Sequence, residues 1–427
     1  MMLIGGEVLP SSMQNEILAH MEEKLNTTLM QSPLDPMCVV EACHQLSRRI
    51  EEGVYNDLIK EIALDKRLLT EQVTMVAQML RRESLLAMLD CQVGKQMIKE
   101  NSYIPPFTDK VMMTKRMPLG VLFHIAAGNV DGLPVFSVVE GLLAGNINIL
   151  KLPQVDKGLS IQLLSELIAV EPKVRDYIYV FDTPSTDIDA IQQMANLADG
   201  VVVWGGDLAV TAARNMVQPG TKIIEWGHKL SFAYVVLEAL TEESLIELSE
   251  HLFKTKQLLC SSCQTIYIDT MNMDDLYGFC KQFLPFMKEA FNKYPINEVG
   301  LSAEATLKVY HAELESLLSD MKVFKGEGYS LIAKSDSELE LSFMFGNCLV
   351  KRLPRAKIVE VLRRKKGYLQ TAGLICPKEQ RKELTEQLLR AGVVRVKSPR
   401  EMSIPTCMDA HDGEYPIQRY SRIVEWE

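Results

Sequence analysis

The chain has 427 residues, 47% of them hydrophobic and 24% charged, with a net charge of −10 and a pI near 5.4. That length exceeds one simple core and implies two or three domains, and the acidic balance excludes a broad electrostatic case for binding nucleic acid. No apolar run reaches the roughly 18 residues that span a bilayer, and Met1-Met2-Leu3-Ile4-Gly5-Gly6-Glu7 has neither the basic nor the apolar region of a secretory leader. The expectation is a cytoplasmic protein. Its nine cysteines are scattered and odd in number, so they should be reduced, and its seven histidines share no repeating spacing with them. No metal site is expected.

In chain order, residues 12–102 read as helical: Val39–Glu51 and Leu68–Met97 place apolar residues three and four apart. Pro105-Pro106 breaks this pattern. From Met117 onward, short apolar runs alternate with amphipathic segments, the texture of βαβ units. Strands are predicted at Gly120–Ile125, Ile147–Leu150, Tyr177–Phe181, Gly200–Val203, Thr221–Ile224 and Phe232–Leu237. The intervening helices are Pro134–Ala144, Lys157–Ala169, Asp187–Leu197 and Leu208–Met216. A second block, roughly 241–400, opens with helix Thr241–Lys256 and continues with helices near Met273–Lys293 and Lys357–Lys366. After Ser398 no regular element is expected.

Several residues could carry chemistry. Gly128-Asn129 follows the first predicted strand, where α/β proteins place ligand-binding turns. The Asn amide could donate to an oxyanion, although Gly and Asn also make an ordinary turn. Gly145-Asn146 precedes a strand ending at Lys151, which could reach ribose or phosphate oxygens or simply be solvated. Gly205-Gly206 opens a helix whose N–H groups could face a pyrophosphate; no full Gly-x-Gly-x-x-Gly is present, and Asp207 could be only a cap. Glu225 adjoins Trp226, which could desolvate the carboxylate into a usable base, or it could be one more surface glutamate. Cys260 could be a nucleophile, a core thiol or half of a redox pair in Cys260-Ser261-Ser262-Cys263. The helix-then-strand order there is the reverse of the thioredoxin arrangement. The run Arg363-Arg364-Lys365-Lys366 reads as a solvated helix end, or as a surface for an acidic carrier or CoA phosphates.

Together these segments resemble the aldehyde dehydrogenase superfamily. The resemblance rests on Pro118-Leu119-Gly120 leading to Asn129, on Gly145 through Lys151, on Gly205-Gly206, on Glu225-Trp226-Gly227-His228-Lys229, and on Cys260 with the strand that follows it. Within the superfamily the chain is more similar to the LuxC-like fatty acyl-CoA reductases, through Phe123-His124-Ile125, the Cys-Ser-Ser-x-Gln run and His411-Asp412-Gly413. It departs from them at Cys263, where Pro is commoner, and at Asp207 in the Gly turn.

The resemblance implies an α/β protein of aldehyde dehydrogenase-like fold. It would comprise a helical N-terminal region (1–105), a Rossmann-type dinucleotide domain (106–240), an α/β catalytic domain (241–400) and a C-terminal tail (401–427). It makes Cys260 the acyl-accepting nucleophile and places Asn129, with the Cys260 N–H, in an oxyanion hole. Glu225 falls at the general-base position, Lys151 on the adenosine side of the cofactor, and Gly205 and Gly206 near its pyrophosphate. Gln154 stands where dehydrogenases that exclude NADP carry an acidic residue, which favours NADPH with NADH as the alternative. The implied reaction is reduction of a fatty acyl-CoA, or another acyl thioester such as an acyl carrier's, to the aldehyde. A homo-oligomer and an acyl-transferring protein partner are implied as well. Two alternatives stand beside this reading: an NAD(P)-dependent aldehyde or semialdehyde dehydrogenase, and a non-catalytic subunit of an acyl-transfer complex.

Overall fold

The structure is a computed structural model that describes residues 1–57, 76–94, 100–126, 132–296, 299–404 and 406–427. It divides into two compact units, Met1–Gly227 with Thr406–Glu427, and His228–Pro405. This division and the sequence-based boundary at 240/241 differ by one strand, Leu230–Val235, which pairs on both sides with strands of the second unit.

The first unit is built on a seven-stranded sheet. Strands β1 (Met2–Ile4) and β2 (Glu7–Leu9) form a hairpin, β3 (Asn101–Tyr103) and β4 (Met112–Pro118) lie outside this sheet, and five strands follow: β5 (Val121–Ile125), β6 (Ile147–Lys151), β7 (Ile178–Phe181), β8 (Gly200–Trp204) and β9 (Lys222–Trp226). The order is β2-β1-β7-β6-β5-β8-β9. From β7 to β9 every pairing is parallel. These strands are near-continuous apolar runs because helices cover both faces of a parallel sheet. The order reverses at β5, so the crevice over the carboxyl ends of β5 and β8 is the topological switch point, where open α/β sheets bind ligands.

All four predicted helices of this unit form, as Leu133–Leu143, Leu159–Val170, Ile188–Asn196 and Asp207–Met216. Asp187 caps the third by accepting from Ala190 N–H. The N-terminal region departs from the all-helical expectation: helices such as Pro36–Glu51 and Arg82–Val93 form, but the chain opens with the β1–β2 hairpin, which extends the sheet alongside β7. Much of the expected helix Leu68–Met97 lies outside the described residues. The tail also differs from expectation. After a short helix, Pro416–Arg419, residues Ser421–Trp426 form a strand antiparallel to β4, completing a three-stranded sheet with β3. A single edge strand is short and carries no period-2 signal strong enough to stand out from turns.

The second unit contains β10 (Leu230–Val235), β11 (Cys263–Ile268), β12 (Lys322–Gly326), β13 (Tyr329–Lys334), β14 (Asn347–Arg352), β15 (Leu369–Ile375) and β16 (Arg395–Lys397). Their order is β12-β13-β14-β11-β10-β15-β16. Apolar cores flank the sheet, two of them large. One buries Leu245, Leu248 and Leu252 with Phe279 and Phe283; the other buries Phe232, Tyr234 and Tyr267 with Leu384 and Leu388. Helix Glu242–Thr255 starts where the sequence placed it, because Thr241 and Ser244 cap each other reciprocally and Glu242 and Glu243 face the positive helix end.

Candidate active site

Strand register gathers the first unit's candidates. Lys151 pairs with Ile125, Ile125 with Val203, and Val203 with Glu225, so the residues stand on one rung crossing β6, β5, β8 and β9. The next rung joins Trp204 to Trp226, whose side chains project from the opposite face. Lys151 is only 4% exposed. Its Nζ donates to Leu152 O at 3.2 Å and to Ser185 Oγ at 3.5 Å. Burial pushes its pKa below the ordinary lysine value, and Asp182 partly offsets this. Gln154 is exposed on the following loop.

Gly205 and Gly206 leave the carboxyl end of β8. A Cβ on Gly205 would come within 2.9 Å of Ala209 Cβ, so glycine lets the turn close onto the helix. A Cβ on Gly206 would meet nothing within 4 Å; this exposed N-cap borders open space. A buried ammonium with two neutral acceptors, a switch-point crevice and an open helix N-terminus fit a dinucleotide's hydroxyl and phosphate groups. Gly128 and Asn129 lie outside the described residues.

Glu225 is not placed as its neighbour suggested. Trp226 turns to the other face, and Arg214, one helix away, forks onto the Glu225 carboxylate, its Nη2 at 2.6 Å from Oε2 and its Nε on Oε1. Sequence reading missed Arg214 because it lies eleven residues back, on the helix between β8 and β9.

Trp204 and Trp226 instead border a buried polar network. Trp204 Nε1 donates to Ser137 Oγ at 3.1 Å, and Ser137 Oγ lies 2.8 Å from His124 Nδ1. His124 Nε2 is 3.0 Å from Asn148 Oδ1. Asn148 Nδ2 donates to backbone carbonyls, so Oδ1 accepts and His124 carries its proton on Nε2. Burial lowers the His124 pKa to about 4, leaving a neutral structural imidazole. Asn146 is a clamp as well: Oδ1 accepts from Gly120 N–H at 3.0 Å and Nδ2 donates to Tyr420 O at 2.9 Å. The His411 ring packs against Trp204 and Trp226, with centroids 4.8 and 4.9 Å away.

In the second unit, Cys260 and Cys263 part company. Cys260 is half-buried on the turn between helix Glu242–Thr255 and β11. Cys263 begins β11, is fully buried, and belongs to the core with Cys280 and Cys348. Burial, with a Cys263 hydrogen bond next in importance, holds the Cys348 thiol well above the ordinary range. The Cys260 carbonyl accepts from Ser231 Oγ at 2.6 Å, and Ser231 Oγ accepts from Thr371 N–H at 3.1 Å. Cys263 N–H donates to His251 Nε2 at 3.0 Å, and burial keeps that imidazole neutral, with its pKa lowered to about 4.

Two α/β units, the first ordered around a switch point and the second carrying a thiol at the mouth of a parallel strand, define an aldehyde dehydrogenase-like fold. Solved structures agree. Aldehyde dehydrogenase 21 from Physcomitrella patens superposes with a TM-score of 0.72 over 98% of this chain and 90% of that one, at 12% identity. An NADP-dependent glyceraldehyde-3-phosphate dehydrogenase from Bacillus halodurans gives 0.70 over 98% and 91%, also at 12% identity.

The particular family follows from sequence: residues 37–423 match the acyl-CoA reductase (LuxC) family, and the chain belongs to it. Long-chain acyl-protein thioester reductase 2 from Photobacterium leiognathi is 26% identical over 73% of this chain, and the match spans 65% of that relative's length. The corresponding reductase of Vibrio harveyi is 24% identical over 81% of the chain and 71% of its own length. Among the described residues no helix is long and apolar enough to cross a membrane.

Proposed function

We propose that the chain reduces a long-chain acyl thioester to the aldehyde with NADPH, holding the acyl group on Cys260. The observation that carries the reading is the contrast within Cys260-Ser261-Ser262-Cys263: the first thiol stands half-exposed on a fixed turn, while the second is sealed in the core. In this reading the Cys260 thiolate attacks the thioester carbonyl carbon. The carbonyl oxygen takes the negative charge and is stabilised by the Asn129 amide and the Cys260 N–H. The bond to the donor sulfur then breaks, the donor leaves as its thiolate, and Cys260 carries the acyl group. Lys151, Gly205 and Gly206 hold the dinucleotide, and neutral Gln154 offers no repulsion to a 2′-phosphate. Bound NADPH supplies the hydride that takes the acyl carbon to the aldehyde level. Cys260 sulfur is the final leaving group and returns as thiolate. Glu225, held by Arg214, serves as a fixed charge beside the cofactor crevice more readily than as a mobile base.

The family description names acyl-CoA, whereas the relatives are named for acyl-protein thioesters. Both donors present the same reacting carbonyl, so the test has two arms. The protein is incubated with long-chain acyl-CoA or with an acylated carrier protein, then digested and analysed by mass spectrometry. Acyl mass on the Cys260 peptide, discharged as aldehyde on adding NADPH, supports the proposal. Absence of any adduct from either donor refutes it. Oxidation of free aldehyde with NAD, without acylation by thioester, would favour the dehydrogenase reading.

A further inference from the structure

The turn that carries Cys260 is held by a side chain no mechanistic step uses. Helix Glu242–Thr255 ends in two successive non-glycine residues with left-handed backbone, Lys256 at φ 50° and Gln257 at φ 61°. Such a pair persists only where the surroundings over-determine it. Gln257 is 1% exposed, and its side-chain amide makes three hydrogen bonds. Nε2 donates to Cys263 O at 3.1 Å and to Ser342 Oγ at 2.9 Å, while Oε1 accepts from Gly346 N–H at 3.1 Å.

A closed ring results. Ser342 Oγ donates to Gln264 Oε1 at 2.8 Å, and Gln264 Nε2 returns to Gln257 O at 2.8 Å. Gln257 therefore ties the entrance of the Cys260 turn to its exit and ties both to the 342–346 segment. Ser231 fixes the turn's middle through Cys260 O.

We propose that Gln257 is a positioning residue for the Cys260 thiol, its buried amide setting the path of the turn from which that sulfur projects. This rests on the reading of Cys260 as the nucleophile, but the thiol's placement can be measured without any acyl donor. The test uses the full chain with Gln257→Met, which keeps the volume and loses the three bonds, and Ser342→Ala, which opens the ring more gently. Alkylation of Cys260 by iodoacetamide is followed by peptide mass spectrometry from pH 6 to 10, beside NADPH affinity and thermal melting.

If Gln257 positions the thiol, Gln257→Met shifts the alkylation rate about tenfold or more and displaces its pH profile, with Ser342→Ala smaller in the same direction, because the reagent reads the thiolate fraction and exposure that the turn sets. NADPH affinity stays within twofold. Alkylation with wild-type rate and pH profile in a folded variant overturns the proposal, and should Gln257→Met not fold, Ser342→Ala decides by the same criterion. Altered alkylation together with a wild-type protein that accepts no acyl group would sink the nucleophile reading and leave the positioning role standing.

Discussion

Lys151→Met separates a nucleotide contact from a structural lysine. In the folded protein the Lys151 ammonium is 4% exposed, and its two hydrogen-bond acceptors, at 3.2 and 3.5 Å, are a carbonyl and a hydroxyl. Among the described residues no carboxylate lies within ion-pair distance of it. Its pKa is lowered chiefly by burial, so between the folded and unfolded values the unfolded chain binds more protons, and this residue's contribution to stability grows as pH rises through the folded value. A buried charge that Asp182 and two neutral acceptors only partly offset is a cost that a similar-sized apolar side chain removes.

Met should therefore leave the melting temperature unchanged or raise it, and flatten the alkaline part of the stability profile. Dinucleotide binding should move the other way. Loss of one charge-assisted hydrogen bond costs about 1.5–3 kcal/mol, a weakening of roughly 10- to 150-fold. Calorimetric titration with NADPH, beside differential scanning calorimetry from pH 7 to 10, measures both. A variant that binds NADPH within twofold of wild type, or one that loses several degrees of melting temperature at pH 7, would refute the reasoning.

The remaining predictions concern the thiols, Glu225 and the buried acid. Cys260→Ala should lose all acyl labelling, whereas Cys263→Ser should keep it and cost about 1–2 kcal/mol of stability by placing a hydroxyl in the core; labelling that persists in Cys260→Ala would transfer the role to Cys263. Glu225→Gln should reduce thioester acylation of Cys260 less than about tenfold, since Arg214 already engages the carboxylate; a loss above a hundredfold would restore the general-base assignment. Glu140 is fully buried, Oε2 has no hydrogen-bond partner among the described residues, and burial raises its pKa to about 8. Because the folded value is raised, its stabilising effect is complete below the ordinary glutamate range and is lost as pH rises through 8. The difference between 4.5 and about 8 sets an upper limit of roughly 4–5 kcal/mol. Glu140→Gln should accordingly remove a fall in denaturant midpoint that runs from about pH 4.5 to about 8, while leaving the loss at acid pH, where buried His124 and His251 must protonate, as it was.

Much of the fold was legible because βαβ units advertise themselves locally. Apolar runs such as Val201-Val202-Val203 separated by amphipathic stretches leave little choice of element. A helix expected near Met273–Lys293 forms over those residues, and Asn272 caps it by accepting from Asp274 N–H. What the sequence concealed depended on partners distant along the chain. The hairpin at residues 2–9 is a strand pair only because β7 offers it an edge, and Ser421–Trp426 only because β4 does. The surroundings of Glu225 were hidden for a related reason: its sequence neighbour Trp226 faces away, and Arg214 meets it through the packing of a helix on the sheet. The Asn of the second Gly-Asn turn carried no sign that it would be spent on clamping Gly120 and Tyr420.

The two thiols show most clearly where period-2 reasoning stops. Strict alternation along β11 would place Cys263 with Thr265 and Tyr267, yet Cys263 shares a core with Ile266 and Ile268, and Tyr267 lies in the other core. The pairing with β10 explains the change of phase: Ser231 opposes Cys263 while the next residue, Phe232, opposes Thr265, so Gln264 is an extra residue in the ladder. On the other side of β10 the register slips at the same point, from Leu230 opposite Leu369 to Phe232 opposite Ala372. A bulge of this kind re-aims the side chains before it. Here it turns Cys263 towards Ile266 and Ile268, releases Gln264 to close the ring with Gln257 and Ser342, and leaves Ser231 without a register partner on β15, its hydroxyl holding the Cys260 carbonyl. The core that Cys263 joins is thus decided by a one-residue slip between neighbouring strands, whereas Cys260, on the turn before β11, lies outside that ladder and keeps its partial exposure.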